Sequence, residues 1–306
     1  AYPMNWGYAW NAAFRPAGIA QPGMNYPWGW SVSFAVAAYG VNDAGDLVGY
    51  NGNNAFFRYA NGSGGWLPKP YGGAAAAYGL THDAAVIVGY NGTRAIKWSG
   101  GGGSYNAIDL QNFGASSDSA KHTYAYGLNV ELRVVGKGKT GSGGPFHAFR
   151  TEPNRSLGNV QSPNADMGTL SGNTADTSVA WAISDSGYVV GSSKAANGET
   201  HAFRFTGSTY TLQPWMDLGT LGGNFSEAAS VNNLGQVVGV AKNATGQNRA
   251  FLWQPGRGML DLNTKLPGGS GWTLTSVQGI NDEGWIVGFG IRGGNTKAWL
   301  MKPKLN

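Results

Sequence analysis

The chain has no cysteine among its 306 residues, which removes disulfides, thiolate metal sites and thiol nucleophiles together. Charge is scarce as well. Only 12% of residues are charged and the net charge is +5, without the dense basic stripe that nucleic-acid binding requires. No apolar run approaches the roughly 18 residues of a membrane-spanning helix. Histidine occurs 4 times, so an imidazole site has few places to be. The sequence also lacks a G-x-S-x-G elbow, an H-E-x-x-H pair, a P-loop and a Rossmann phrase, so no cofactor is called for. Ala1 follows neither an initiator Met nor a basic leader, which fits either a mature exported bacterial protein whose signal peptide has been removed or a piece of a longer chain; the first is the expectation taken forward.

What is abundant is glycine and aromatic side chains. Gly occurs 51 times beside 12 Trp, 14 Tyr and 42% hydrophobic residues, a mixture suited to many short strands and tight turns rather than to disorder. One phrase returns six times: AYGVNDAGDLVG from Ala38, AYGLTHDAAVIVG from Ala77, AYGLNVELRVVG from Ala125, AWAISDSGYVVG from Ala180, AASVNNLGQVVG from Ala228 and VQGINDEGWIVG from Val277. Its closing Val-Gly recurs every 40 to 55 residues, the period of a propeller blade. The repeat runs on without a linker, which predicts a single domain over 1–306.

Each unit supplies four candidate strands. The first is the Ala-x-Gly segment, the second ends in Val-Gly, the third carries Ala-Phe or a relative of it, and the fourth ends in Asp-Leu. Asn42 to Gly45, Ser184 to Gly187 and Asn281 to Gly284 join the first two strands with a turn-former first and Gly last. In the second unit Ala85 falls where that Gly is expected. Asp43, Asp46, Asp185 and Asp282 in these turns resemble calcium donors, but their number and spacing suit turns better. Four successive antiparallel strands per unit predict an all-β fold, a β-propeller of four-stranded antiparallel blades. The Gly7 to Phe14 segment repeats the Gly-to-Ala spacing of the other units and predicts a seventh blade. Six is the alternative, if the two chain ends complete one blade.

The phrases Gly-Ile-Asn-Asp-x-Gly-x-x-Val-Gly, His-Ala-Phe (His147 to Phe149 and His201 to Phe203) and Asp-Leu-Gly-Thr-Leu-Gly-Gly (Asp217 to Gly223) resemble the HAF-repeat family of extracellular bacterial proteins. The resemblance covers Ala38 to Leu300. It implies a secreted β-propeller that acts by contacting other proteins and is not known as an enzyme. Asn54, Arg94, Arg249 and Lys297 stand where the family phrase has His.

Function is expected on the connections between second and third strands, read as long and polar at Lys137 to Pro145, Ser192 to Glu199, Ala241 to Asn248 and Phe289 to Asn295. Lys137, Lys139, Lys194, Lys242 and Arg292 lie in those loops, and Arg94, His147, His201, Arg249 and Lys297 precede the third-strand Ala. Together they form a basic rim for an acidic polysaccharide or an extracellular protein. Tyr39, Tyr78, Tyr126 and Trp181 occupy equivalent positions in four first strands, where packing between blades is the expected role and sugar stacking the alternative. Trp6, Trp10, Tyr26, Trp28 and Trp30 crowd the N-terminal segment as either a latch or an exposed ligand patch. The competing class is a carbohydrate-active enzyme, a lyase or hydrolase acting on an acidic polysaccharide. It would use His122, Tyr124 or His82 as acid or base and Lys121 or Arg133 to neutralise a carboxylate. The preferred reading is a secreted non-enzymatic binding propeller with no metal, no cofactor and no membrane span; composition leaves its oligomeric state open.

Overall fold

The computed structural model describes residues 5–7, 36–110, 122–141, 143–153, 165–207 and 209–304. Among them the chain forms strands and two single-turn 3-10 segments, Pro214–Met216 and Leu262–Lys265. No helix of the described residues is long and apolar enough to cross a membrane. The contacts divide the chain into two compact units, one of Pro16–Gly144 and Phe149–Ala165, the other of Ala1–Arg15, Pro145–Ala148 and Asp166–Asn306.

The strands in chain order begin with β1 (Asn5–Gly7), which belongs to the second unit. In the first unit β2 (Val36–Val41), β3 (Leu47–Asn51), β4 (Asn54–Arg58) and β5 (Gly64–Trp66) make one antiparallel meander. A second consists of β6 (Ala75–Leu80), β7 (Val86–Asn91), β8 (Arg94–Gly101) and β9 (Ser104–Asp109). A three-stranded sheet of β10 (Thr123–Leu128), β11 (Val134–Lys139) and β12 (Phe146–Arg150) follows. Buried apolar side chains come from successive meanders: Val48, Ala55, Phe57, Ile87, Ile96 and Trp98 form one cluster, and Val88, Ala95, Leu110, Ala125 and Phe149 the next.

In the second unit β13 (Ser178–Ile183), β14 (Val189–Lys194) and β15 (Thr200–Phe205) are joined by one parallel bridge to β16 (Gly222–Val231), β17 (Val237–Asn243), β18 (Asn248–Gln254) and β19 (Gly258–Asp261). The last sheet has the order β1, β22 (Asn295–Lys304), β21 (Ile286–Arg292), β20 (Trp272–Ile280). Here the N-terminal strand pairs antiparallel with β22, Trp6 opposite Pro303, and so supplies the fourth strand that the last repeat lacks. The six meanders found among the described residues thus use both chain ends in one sheet, and no sheet closes on itself.

The Val-Gly signature has a steric cause. In every unit the register of the first strand shifts by a β-bulge, between Ala38 and Gly40, Ala77 and Gly79, Ala125 and Gly127, Ala180 and Ala182, Ala228 and Ser230, and Val277 and Gly279. Opposite the residue preceding each bulge stands the repeat Gly: Gly49, Gly89, Gly136, Gly191, Gly239 and Gly288. A Cβ there would overlap a first-strand carbonyl oxygen, that of Ala37, Ala76, Tyr124, Val179, Glu227 or Ser276. On the partner strand the ring of the Ala-Phe phrase closes over the same Gly, with Phe56 and Phe149 Cε1 at 2.9 Å and Phe251 Cε1 at 2.8 Å from the Cβ position. Two recurring phrases are therefore one packing motif: a bulged strand, a glycine that lets it approach, and an aromatic lid.

The turn reading holds in atomic detail. The Asn42 Oδ1 accepts from the Asp46 N–H at 2.8 Å, Asn232 from Gln236 at 3.0 Å and Asn281 from Trp285 at 2.8 Å. Gly45 sits at φ 85°. In the second repeat the equivalent left-handed residue is Ala84 at φ 53°, not Ala85, because that turn gains one residue after it; in the third repeat Leu132 takes φ 59°. The turn carboxylates are used within the fold: Asp282 accepts from the Asn233 N–H and side chain at 2.8 Å each, and Asp46 from the Ala60 N–H at 2.9 Å.

Candidate functional site

The bulges present one side chain per repeat at the residue they contain, because an inserted residue re-aims its neighbours. In the first unit that residue is Tyr39, Tyr78 and Tyr126; in the second it is Trp181, Ala229 and Gln278. Directly after the repeat Gly the second strands add Tyr50, Tyr90 and Lys137 in the first unit. Six phenols thus gather on β2, β3, β6, β7 and β10. Tyr39 stacks on Tyr50 and Tyr78 with ring centroids 5.7 and 4.6 Å apart. Tyr78 meets Tyr90 at 6.1 Å and Tyr126 at 5.2 Å, and Tyr90 meets Tyr124 at 5.3 Å. Lys137 Nζ lies 5.6 Å from the Tyr124 ring and 5.9 Å from the Tyr126 ring, and the His122 ring is 6.5 Å from Tyr124.

This stripe is partly covered. Tyr39 is 49% exposed, and Tyr50, Tyr78, Tyr90, Tyr124 and Tyr126 are half-buried. Burial raises the pKa of Tyr39, Tyr78, Tyr90, Tyr124 and Tyr126, and the neighbouring phenols push in the same direction, since an ionised oxygen beside others is disfavoured. All five hydroxyls therefore stay protonated at neutral pH and act as uncharged donors and acceptors.

The expected basic rim is organised differently. Strand pairing runs further than the sequence suggested, so the connections are short: β21 and β22 turn through Gly293-Gly294 alone, both with positive φ, as a tight hairpin requires. The Asn243 side chain closes the next such connection by accepting from the Gln247 N–H at 2.9 Å. Lys137, Lys139, Lys194, Lys242 and Arg292 consequently lie on strand ends rather than in loops. Lys194 Nζ donates to the Gly198 carbonyl at 2.8 Å, and the Arg292 guanidinium lies 5.7 Å from the Trp272 ring. Lys242 is half-buried and Lys297 exposed.

Four of the five basic side chains before the third-strand Ala have a carboxylate partner in the same repeat, from the Asp-Leu phrase or, at Asp166-Met167, from its counterpart. Arg94 Nη1 reaches Asp109 at 2.6 Å, His147 Nδ1 reaches Asp166 at 3.0 Å, His201 Nδ1 reaches Asp217 at 2.7 Å, and Arg249 Nε lies 3.7 Å from Asp261. Arg94 and Arg249 thereby tie a third strand to a fourth, His147 and His201 tie a third strand to the segment that follows it, and all four side chains are engaged within their own repeat. Asp166 and Asp217 also accept from the Gly168 and Gly219 N–H at 2.7 Å, which shapes the link into the next repeat.

The proposed catalytic groups separate. His82 lies on the exposed first turn of its repeat, 3.3 Å from Asp43, whereas His122 lies at the opposite end of a first strand, where its carbonyl accepts from the Lys139 N–H at 2.8 Å. A six-residue strand spans roughly 20 Å, so the two imidazoles cannot share a ligand. Arg133 is also at a turn, 2.8 Å from Glu131 and 3.7 Å from Glu152, and cannot serve His122. Trp28, Trp30 and Lys121 lie outside the described residues. The residues missed as a group were Tyr50 and Tyr90; the signal for them was a Tyr directly after the repeat Gly, visible in VGY at both places.

No protein-family model and no curated protein matches the chain. Among solved structures it is similar to a crystal structure of a puromycin hydrolase mutant complexed with PGG, with 13% identity and a TM-score of 0.48 over 86% of this chain and 51% of that one. The chain thus spans about half the length of that protein.

Proposed function

We propose that this protein is a closed β-propeller of the HAF-repeat type, exported from a bacterium, that works as a non-enzymatic binding protein. Six blades fit it better than seven, because the pairing of β1 with β22 uses both chain ends in one blade. Its ligands are extracellular proteins or acidic glycans, held in the first unit at the strand end that carries Lys137 and Lys139 beside the tyrosine stripe, while Lys194, Lys242 and Arg292 occupy equivalent strand ends in the repeats of the second unit. The observation that carries this reading is the contrast between repeats: the bulge position is structurally equivalent in every unit, yet it is Tyr in three successive ones and Trp, Ala and Gln in the others. A residue needed only for packing would follow the repeat; this one does not.

Binding without chemistry is supported by the separation of His82 from His122 and by the engagement of His147 and His201 with repeat carboxylates. A second reading rests on His122, Tyr124 and Lys137, which stand together with the ring and amine distances given above. There a lyase acting on an acidic polysaccharide would find a base and a cation. A pull-down and a glycan-array screen at two salt concentrations, followed by product analysis on any polysaccharide retained, decides between them. Salt-sensitive capture without product supports the binding protein, and unsaturated or shortened sugars support the enzyme.

A further inference from the structure

The tyrosine stripe is a surface of neutral hydroxyls with an ammonium beside it. Tyr78 and Tyr90 have no hydrogen-bond partner for their hydroxyls among the described residues, and neither oxygen is sealed from solvent. Their rings are occupied by each other and by Tyr39, Tyr124 and Tyr126, so the stripe presents phenol edges and hydroxyls, not open ring faces. That makes flat stacking of a sugar or of a proline ring a poor use of it. The charged group that the structure shows against the rings is a cation: the Lys137 ammonium stands over Tyr124 and Tyr126. Neutral hydroxyl donors beside an ammonium suit a ligand rich in acceptor oxygens and bearing negative charge. The stripe crosses three neighbouring repeats, which gives it the length of an extended chain rather than of a single small anion.

We propose that the stripe Tyr39, Tyr50, Tyr78, Tyr90, Tyr124 with Lys137 is a binding site for an extended carboxylated polysaccharide, the sugar carboxylates being held by Lys137 and the ring and hydroxyl oxygens by Tyr78 and Tyr90. This rests on the reading of the protein as a binding propeller and assigns that reading its ligand and its residues. The contacts are charge-assisted at one end and neutral along the rest, so binding weakens with salt without vanishing.

Titration calorimetry of the full chain with polygalacturonate oligomers, with neutral amylose oligomers and with a proline-rich peptide tests it. Two variants accompany the wild type: the double substitution Tyr78→Phe with Tyr90→Phe, which keeps the rings and removes the hydroxyls, and Lys137→Gln. Thermal melts establish that both retain the fold. Binding of polygalacturonate in preference to amylose, weakened about tenfold by either variant, is expected, since a hydrogen bond or an ion pair to a charged ligand is worth roughly that factor. Polygalacturonate binding that both variants leave unchanged overturns the site and leaves the protein a binding propeller. Preference for the peptide or for amylose overturns the ligand class. Failure of the wild type to hold any glycan or extracellular protein overturns the functional reading beneath it.

Discussion

Replacing Gly89 by Ala tests the steric origin of the repeat signature. A Cβ at this buried position would overlap the Ala76 carbonyl oxygen and stand 2.9 Å from both the Ala76 carbonyl carbon and Ala77 Cα. All three obstacles are backbone, so no rotamer change relieves them. Relief demands that β6 and β7 move apart at the bulge, which also disturbs Tyr78 inside it and the cluster of Ala77, Ile87 and Ile96 behind it. Overpacking of a close-packed core costs about 1–3 kcal/mol, and rigid obstacles put this substitution at or above about 3 kcal/mol. At about 2–4 °C per kcal/mol for domains of some 150–250 residues, the melting temperature is expected to fall by about 6–12 °C. The control is Gly72→Ala, where a Cβ meets nothing within 4 Å and φ lies outside the left-handed region. That change is expected to be neutral or slightly stabilising, about 0.4–1 kcal/mol, through the unfolded chain. Calorimetry and urea unfolding of the pair give the comparison. If the two variants melt together, the Val-Gly phrase is not a consequence of close approach and the account of the repeat is wrong.

Leu132 holds φ 59° where a homologous turn has Gly45, so Leu132→Gly is expected to raise stability by about 0.5–1 kcal/mol, less than the full left-handed penalty because glycine also loosens the unfolded chain; a urea midpoint that falls would refute it. Ser226 is fully buried, donates to the Gly219 carbonyl at 2.5 Å and accepts from the Ala202 N–H at 2.8 Å, so Ser226→Ala strands a buried donor and is expected to cost about 1–3 kcal/mol in equilibrium unfolding. Burial alone would lower the pKa of His147, but its bond and charge interaction with Asp166 outweigh that and leave the folded value above the ordinary one. The resulting stability is fully present below the unfolded value of about 6.5 and is lost as pH rises through the folded value. Thermal unfolding should therefore show His147→Gln more damaging near about pH 5.5 than near about pH 8.5, and an equal loss at both would contradict the pairing.

The repeat, the strand content and the turn chemistry were legible because each rests on a local pattern: Val-Gly at a period of 40 to 55 residues, Asn or Ser followed three residues later by Gly, and Ala-Phe beyond the Val-Gly. The bulge was not legible. It is a matter of register between two strands, and the only trace it leaves is the glycine opposite it. The carboxylate partners of the rim residues were not legible for a related reason. The partners Arg94 and Asp109 lie 15 positions apart, while His147 and Asp166 lie 19 apart. The segments between the partners differ in length, so no fixed spacing announces the pairs, and Asp166, followed by Met167 rather than by Leu, was not recognised as a repeat residue. The tyrosines show the opposite case. Tyr39, Tyr78 and Tyr126 were picked out as equivalent, but their association with Tyr50 and Tyr90 follows from the antiparallel register that sets Ala37 opposite Tyr50 and Ala76 opposite Tyr90. Chain-end pairing was legible only as an alternative, because the three residues of β1 carry no repeat phrase of their own.

The central claim is that the molecule binds without transforming what it binds. Incubating the purified protein with polygalacturonate and following retention on the polymer and release of unsaturated or shortened sugars in the same sample tests it most directly. The account predicts retention that weakens with salt and no product above a protein-free control. Product that appears with the wild type and disappears in Tyr124→Phe would contradict it and make the His122, Tyr124 and Lys137 group an active site.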